Sequence, residues 1–305
     1  MNFSNMGSHA GLRLGATALS LEGIMEGLEL EDGGVLLDYA RLVRKTVESG
    51  FNHVELSMDL YYILPASFSR TNMDEWLSMK DVGVSFSAHL PIWSVELDSP
   101  VEDIRRASVN AVVKPVSVLE ELKPLAYVLH VAGPLAAEVN RMEAGQNYKQ
   151  FFFEALARNA SRSVEQIVSS MSDMGVDSRR IALESIEFPF SKTLEIAEAF
   201  DTSICIDTGH ILAGYSGEIS IEEAIELSSR RLLEIHLHDA YRRREGERII
   251  VRDHLPLGAG DLDVKSLFES LGKAGFRGPI VFELGLRDAK SSLEKTGSTL
   301  RDLNF

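Results

Sequence analysis

Six ionisable side chains each close a short apolar run. His89 ends Val84-Ser-Phe-Ser-Ala-His89, His130 ends Tyr127-Val-Leu-His130, and Glu184 ends Ile181-Ala-Leu-Glu184. Asp207 ends Ile204-Cys-Ile-Asp207, His236 ends Leu233-Glu-Ile-His236, and Glu283 ends Ile280-Val-Phe-Glu283. Imidazoles and carboxylates together form a donor set for divalent ions, zinc first, with manganese, cobalt or magnesium as alternatives. Ionisable groups gathered in an apolar setting are costly unless something pairs them, and a shared metal does so. Asp207-Thr-Gly-His210 adds a second histidine just past a strand end, with Gly209 allowing the tight turn that returns His210 to the same place.

The remaining candidates divide by position. His236 and His238 share a face at the two-residue strand period, so His236 reads as a ligand and His238 as a substrate contact or a group behind the ligands. Asp239 can orient a histidine from outside the ligand set. His254, in Arg252-Asp-His-Leu-Pro-Leu-Gly-Ala-Gly260, lies in a loop before a helix, where the glycines favour a tight turn and an ordered connector is one reading. Arg242-Arg243-Arg244 is the one dense cationic run, and Arg242 is a candidate clamp for a phosphate or hydroxyl. Trp93, in His89-Leu-Pro-Ile-Trp-Ser, is a candidate substrate contact or lid residue. Glu55 is expected inside the fold as a hydrogen-bonding group, His53 inert at the opposite strand end, and Cys205 as core packing. His9 falls in a polar tail and carries no weight.

These positions require a scaffold that brings distant strand ends together. Eight β-rich runs alternate with helical patterns: 12–18, 53–58, 84–90, 127–132, 180–186, 203–207, 233–238 and 279–284. Helical stretches are expected over 35–49, 100–121, 148–174, 194–200, 221–229 and 264–274, several stopped by glycine at 50, 175 and 275. The alternation predicts parallel βαβ units closed into a single (β/α)8 barrel over 12–305, preceded by a loose tail at 1–11. An open doubly wound sheet is the rival arrangement. In a barrel the carboxyl ends of all strands meet at one mouth, where such enzymes place their chemistry.

Bulk properties limit the partners. The chain has 305 residues, 45% hydrophobic and 25% charged, an ordinary globular balance. A net charge of −15 disfavours a large nucleic-acid partner and leaves a small phosphorylated or sugar-like substrate as the expected one. A single cysteine, a polar amino terminus and the absence of a long apolar run favour a cytoplasmic protein without a membrane span. No phosphate-binding loop, nucleophile elbow or paired-cysteine motif is present. Nothing in the sequence sets the oligomeric state.

From about Leu12 to Leu286 the chain resembles the xylose-isomerase-like barrels, a superfamily that includes endonuclease IV and sugar epimerases. The resemblance rests on Ala-His89-Leu-Pro, Val-Leu-His130, Ala-Leu-Glu184-Ser, Cys-Ile-Asp207-Thr-Gly-His210, Ile-His236-Leu-His-Asp239-Ala, Asp-His254-Leu-Pro-Leu-Gly and Val-Phe-Glu283. The epimerase branch implies one metal at Glu184, Asp207, His236 and Glu283, proton transfer by Glu184 and Glu283, and Arg242 as substrate arginine. The endonuclease IV branch implies further zinc ions using His89, His130, His210 and His254. That pattern places an Asp two residues before His254, where this chain has Arg252 and carries Asp253 one place later. A softer likeness, through Arg105-Arg-Ala-Ser-Val and Leu122-Lys-Pro-Leu-Ala-Tyr-Val-Leu-His130, points to the cobamide-remodelling phosphodiesterases.

An isomerase leaves His89, His130 and His254 without a necessary role, whereas a multinuclear hydrolase employs them to generate hydroxide. The sequence therefore favours a metal-dependent phosphodiesterase acting on a small phosphodiester such as a cobamide nucleotide loop. In that reading Glu184 bridges two ions, with His210 and His254 near the leaving oxygen. The alternatives are a single-metal sugar or sugar-phosphate isomerase/epimerase, an abasic-site endonuclease, and a non-enzymatic small-molecule-binding barrel.

Overall fold

The computed structural model describes residues 12–17, 28–31, 34–37, 39–246 and 248–303. The tail expected at 1–11, with His9, lies outside the described residues.

Eight strands form one closed parallel barrel: β1 (Arg13–Thr17), β2 (His53–Ser57), β3 (Ser85–His89), β4 (Tyr127–His130), β5 (Ile181–Glu184), β6 (Ser203–Asp207), β7 (Leu232–Leu237) and β8 (Pro279–Phe282). Each strand pairs with its neighbours in sequence, and β1 closes against β8 through Leu14 opposite Ile280 and Gly15 opposite Val281. The expected (β/α)8 barrel is thus the observed fold, and the open sheet is not. Closure removes both sheet edges, so every strand is buried on two sides. That is why these runs read as continuous apolar segments rather than alternating ones.

Register levels the strand ends. His130 lies opposite Glu184, Glu184 opposite Cys205, and Asp207 opposite His236. His130, Glu184, Asp207 and His236 therefore lie at or near the carboxyl ends of their strands, with Cys205 two residues short of the end of its own. Amphipathic helices cover the outside, among them Tyr39–Glu48, Glu102–Val113, Gln146–Asp173 and Val264–Lys273. Their buried residues join the strands in one extended apolar core that includes Phe51, Trp76, Phe188, Phe268 and Phe282.

Local differences from the sequence expectations have simple causes. The helix expected over 35–49 begins at Tyr39, because Gly34–Leu37 is a strand paired antiparallel with Leu28–Glu31. The helix expected over 100–121 ends at Val113 and continues as a tighter turn over Lys114–Leu119, since Pro115 has no N–H to donate. The segment 248–255, read partly as a connector, is a strand paired antiparallel with Asp239–Glu245. This hairpin stands over one side of the mouth. Among the described residues no helix is long and apolar enough to cross a membrane.

Gly278 enters β8 where a Cβ would meet the Leu233 carbonyl oxygen at 1.8 Å. Gly278→Ala is expected to force β8 from β7 and lower stability by roughly 1–3 kcal/mol, read from the midpoint of urea unfolding.

Candidate metal centre

Glu184 stands at the centre of the mouth, fully buried, with histidines on several sides. Its Oε2 lies 3.0 Å from His130 Nε2, 3.3 Å from His236 Nδ1 and 3.5 Å from His89 Nε2, and its Oε1 lies 3.0 Å from His210 Nδ1. Glu283, just past β8, places Oε1 3.1 Å from the same His236 Nδ1 and Oε2 3.6 Å from His254 Nε2. Asp207 Oδ1 accepts the His210 backbone N–H at 2.6 Å, capping the short helix Thr208–Ala213. The fold thus brings His89, His130, Glu184, His210, His236, His254 and Glu283 together, with Asp207 joined to them through His210.

Hydrogen bonds at the rear of the rings determine which nitrogen faces inward. His89 Nδ1 lies 3.0 Å from the Leu90 carbonyl, which can only accept, so the lone pair of Nε2 is the one directed at Glu184. His236 Nε2 lies 3.3 Å from Glu55 Oε2, so its N–H points down into the barrel and Nδ1 presents a lone pair to Glu184 and Glu283. His89 Nε2, His210 Nδ1, His236 Nδ1 and Glu184 Oε1 are buried without a hydrogen-bond partner. Donors bound at about 2.0–2.1 Å to one small cation lie about 3.0–3.4 Å apart, the spacing found here. Several triads of these groups, such as His89, His130 and Glu184, or His89, His236 and Glu283, converge closely enough to hold an ion. The residues fit a divalent metal.

Charge compensation inside the cluster is strong. Burial by itself would raise the Glu184 carboxyl, but His130 and His236 outweigh it and hold the group well below its ordinary value. Glu283 is lowered in the same way against burial, chiefly by His236. Burial opposes charge on His89 and His210, yet the facing carboxylates lift both to about 9. Without a cation, the histidines therefore supply the positive charge.

The other sequence candidates occupy different stations. The His254 backbone N–H donates to His238 Nδ1 at 2.9 Å, so His238 carries its proton on Nε2 and donates it to Asp207 Oδ2 at 2.9 Å. Both ring nitrogens of His238 are thus engaged by protein, and its ring stacks on His254 at 4.2 Å. A Cβ on Gly209 would meet the His238 ring at 1.9 Å, so this glycine makes room for the ring that holds Asp207. His254 itself has φ +50, a left-handed backbone sustained by that stacking and by the hairpin. Asp239 does not orient a histidine. Its carboxylate accepts backbone N–H groups from Ala240, Gly258, Gly260 and Leu262, clamping the loop that follows the hairpin. Trp93 is partly exposed and lines a 220 Å³ pocket together with His130 and Glu187. Arg242 projects from the hairpin over Gly214, 3.6 Å from Glu218. Cys205 is buried in β6.

Sequence reasoning undervalued the floor of the site. Glu55, Glu234 and His53 are all buried in the barrel interior. Ser87 donates to Glu234 Oε1 at 2.9 Å and faces Glu55 Oε2 at 3.4 Å, while His53 bridges Ser85 and Ser87 at 2.8 and 2.9 Å. His53 is therefore part of a polar network rather than an idle strand start. The available signal was the two-residue period, which puts Glu55 on the same face as His53 and Glu234 on the same face as His236.

Two outcomes follow from this geometry. Glu55→Gln weakens the acceptor behind His236, and a 10–100-fold loss of metal affinity is expected by calorimetry. In the metal-free protein, His89 and His210 titrate near 9 when folded and near 6.5 when unfolded. Their contribution to stability is complete below about pH 6.5 and is lost as pH rises through about 9. Thermal unfolding of the metal-free form should fall across that window, and a bound metal, by taking up charge of the carboxylates that lift these two histidines, should lessen the fall.

Comparison with known proteins agrees with this architecture. A D-tagatose 3-epimerase-like protein matches with a TM-score of 0.70 at 20% identity, over 96% of this chain and 98% of that one. An L-ribulose 3-epimerase matches with a TM-score of 0.68 at 15% identity, over 96% of each chain. The D-psicose 3-epimerase of Clostridium cellulolyticum H10, solved with D-tagatose, matches with a TM-score of 0.65 at 17% identity, over 95% of this chain and 99% of that one. No curated protein matches the sequence. These findings correct the expectation of a hydrolase cleaving a cobamide-like phosphodiester, because the matching structures are named for sugar epimerases. The histidines that ranked hydrolysis first also have other partners: His89 bonds Leu90, His130 faces Glu184, and His254 stacks on His238. The model of the xylose isomerase-like TIM barrel family matches residues 43–302, and the chain belongs to that family.

Proposed function

We propose that the protein is a metal-dependent sugar isomerase or epimerase in which Glu184 and Glu283 move a proton beside a carbonyl. The observation that carries this reading is that the two carboxylates approach one ligand atom, His236 Nδ1, from strands on the two sides of β7, at 3.3 and 3.1 Å. A substrate carbon held between them meets one carboxylate on each face. That arrangement permits removal of a proton by one, as the carboxylate, and delivery of a different proton by the other, as the acid, with inversion at that carbon.

In this reading Glu184, Asp207, His236 and Glu283 hold one divalent metal, which when bound polarises the carbonyl so that the neighbouring C–H becomes acidic. His130 and His89 position Glu184 from one side, and His210 from the other. His238 keeps Asp207 in place. Trp93 offers an apolar face to the sugar at the edge of the mouth, and Arg242 reaches it from the hairpin. The enzyme of this proposal acts on a small sugar-like molecule. Its metal is one that accepts mixed nitrogen and oxygen ligands.

The test is incubation of ketohexoses and ketopentoses in D2O with manganese or cobalt, following epimer formation and deuterium entry beside the carbonyl. Elemental analysis should give one ion per chain. Glu184→Gln and Glu283→Gln are each expected to lower turnover by roughly 10²–10⁴-fold while leaving the circular dichroism spectrum unchanged. Undiminished turnover in both folded variants, or the absence of deuterium exchange with every sugar, would sink the reading.

A further inference from the structure

We propose that the substrate carries a phosphate ester, bound in a cationic cleft that runs outward from the mouth; the inference rests on the isomerase/epimerase reading and names its substrate class. The cleft has a volume of about 1090 Å³ and lies between the hairpin, the Pro134–Arg141 segment and the start of the Gln146–Asp173 helix. Ligand pockets for molecules of several rings span about 300–1,000 Å³, so this space exceeds what one monosaccharide fills. Glu187 lines both this cleft and the small pocket that holds Trp93 and His130, so the two lie side by side.

The charge of the cleft opposes that of the protein. Arg141, Lys149, Lys192, Arg242 and Arg248 line it, in a chain of net charge −15. Its carboxylates are Glu143, Glu187 and Glu218. Glu187 is engaged by Asn140 and by Arg141, the latter at 2.8 Å, and its oxygens are therefore turned to the wall. Lys192 is held by Glu154 and Glu195 at 2.7 and 2.9 Å. Three cations remain for a ligand. Among the described residues Arg248 has no ion pair, Lys149 donates only to the Asn140 carbonyl, and Arg242 has only Glu218 at 3.6 Å. Glu218 is 89% exposed, and such an exposed pair contributes little and yields to a dianion.

The arginine run explains itself on the same geometry. Arg243 turns away to Asp261 and the Tyr241 ring, and Arg244 bonds the Gly246 carbonyl. Arg242 alone of the three reaches the cleft, over Gly214, where any side chain would displace it. Phosphate oxygens accept forked guanidinium hydrogen bonds with better geometry than a lone hydroxyl, which favours a phosphorylated ligand over a neutral sugar.

The experiment measures binding to metal-free protein by calorimetry, pairing free pentoses and hexoses with their phosphates, including D-fructose and D-fructose 6-phosphate, with inorganic phosphate as competitor. At least one sugar phosphate is expected to bind ten or more times more tightly than its free sugar. That ratio should shrink severalfold in Arg248→Gln and Lys149→Gln, and in raised salt, while metal affinity is unchanged. No preference for any phosphorylated member, or a ratio indifferent to both substitutions, overturns the inference. Epimerisation of free sugars without a phosphate preference would remove the cleft inference and keep the isomerase reading. A phosphate preference without any proton exchange would do the reverse.

Discussion

A carboxylate buried in the mouth of a barrel has to be compensated, and Glu184 meets that constraint with four histidines from four elements. Its neighbours His89, His130, His210 and His236 come from β3, β4, the helix after β6, and β7. None is adjacent in sequence to another. The cluster can exist only if the barrel closes and carries these strand ends to one mouth, where the register sets His130 beside Glu184 and Asp207 beside His236. In the absence of a cation the facing carboxylates favour the protonated forms of His89, His210 and His236. A divalent ion held there would supply that positive charge instead.

What makes the arrangement more than a group of charges is the support behind each ligand. The Leu90 carbonyl orients His89, Glu55 orients His236, and His238 orients Asp207. Beneath these, Ser87 links Glu234 to His53, carrying polar order to the lower layer of the barrel. Burial is the main cause that raises Glu55 to about 7, since the carboxyl sits among groups that offer it few donors. Above them, Asp239 clamps the loop after the hairpin with backbone hydrogen bonds and so fixes the chain around His254. Rigid supporting contacts of this kind hold ligands at the angles that metal chemistry requires.

The number of histidines at the mouth was a poor guide to the reaction. Counting them as metal ligands assumes that each needs an ion, but a histidine beside a buried carboxylate is satisfied by the carboxylate, and one stacked on another ring is satisfied by packing. His130 and His254 have such partners. The more informative feature is the placement of two carboxylates, from strands on the two sides of β7, around one nitrogen. That geometry suits proton transfer across a substrate carbon, and it is a property of strand order rather than composition.

Much of this was legible in the sequence. The alternation of apolar runs and helical segments determined a barrel, and ionisable residues closing β3 through β8 determined that its mouth holds a polar, metal-capable cluster. These are local patterns, set by the period of a strand and by the cost of a charge inside an apolar run. Other features were decided only by tertiary structure. Whether His238 faces a substrate or Asp207, whether Asp239 serves a histidine or a loop, and which arginine of the run reaches the cleft depend on neighbours from distant segments. So did the hairpin at 239–255, whose strands are defined by each other more than by their own residues. Local sequence can place a side chain on a face, but the partner that determines its role comes from contacts that only the closed barrel creates.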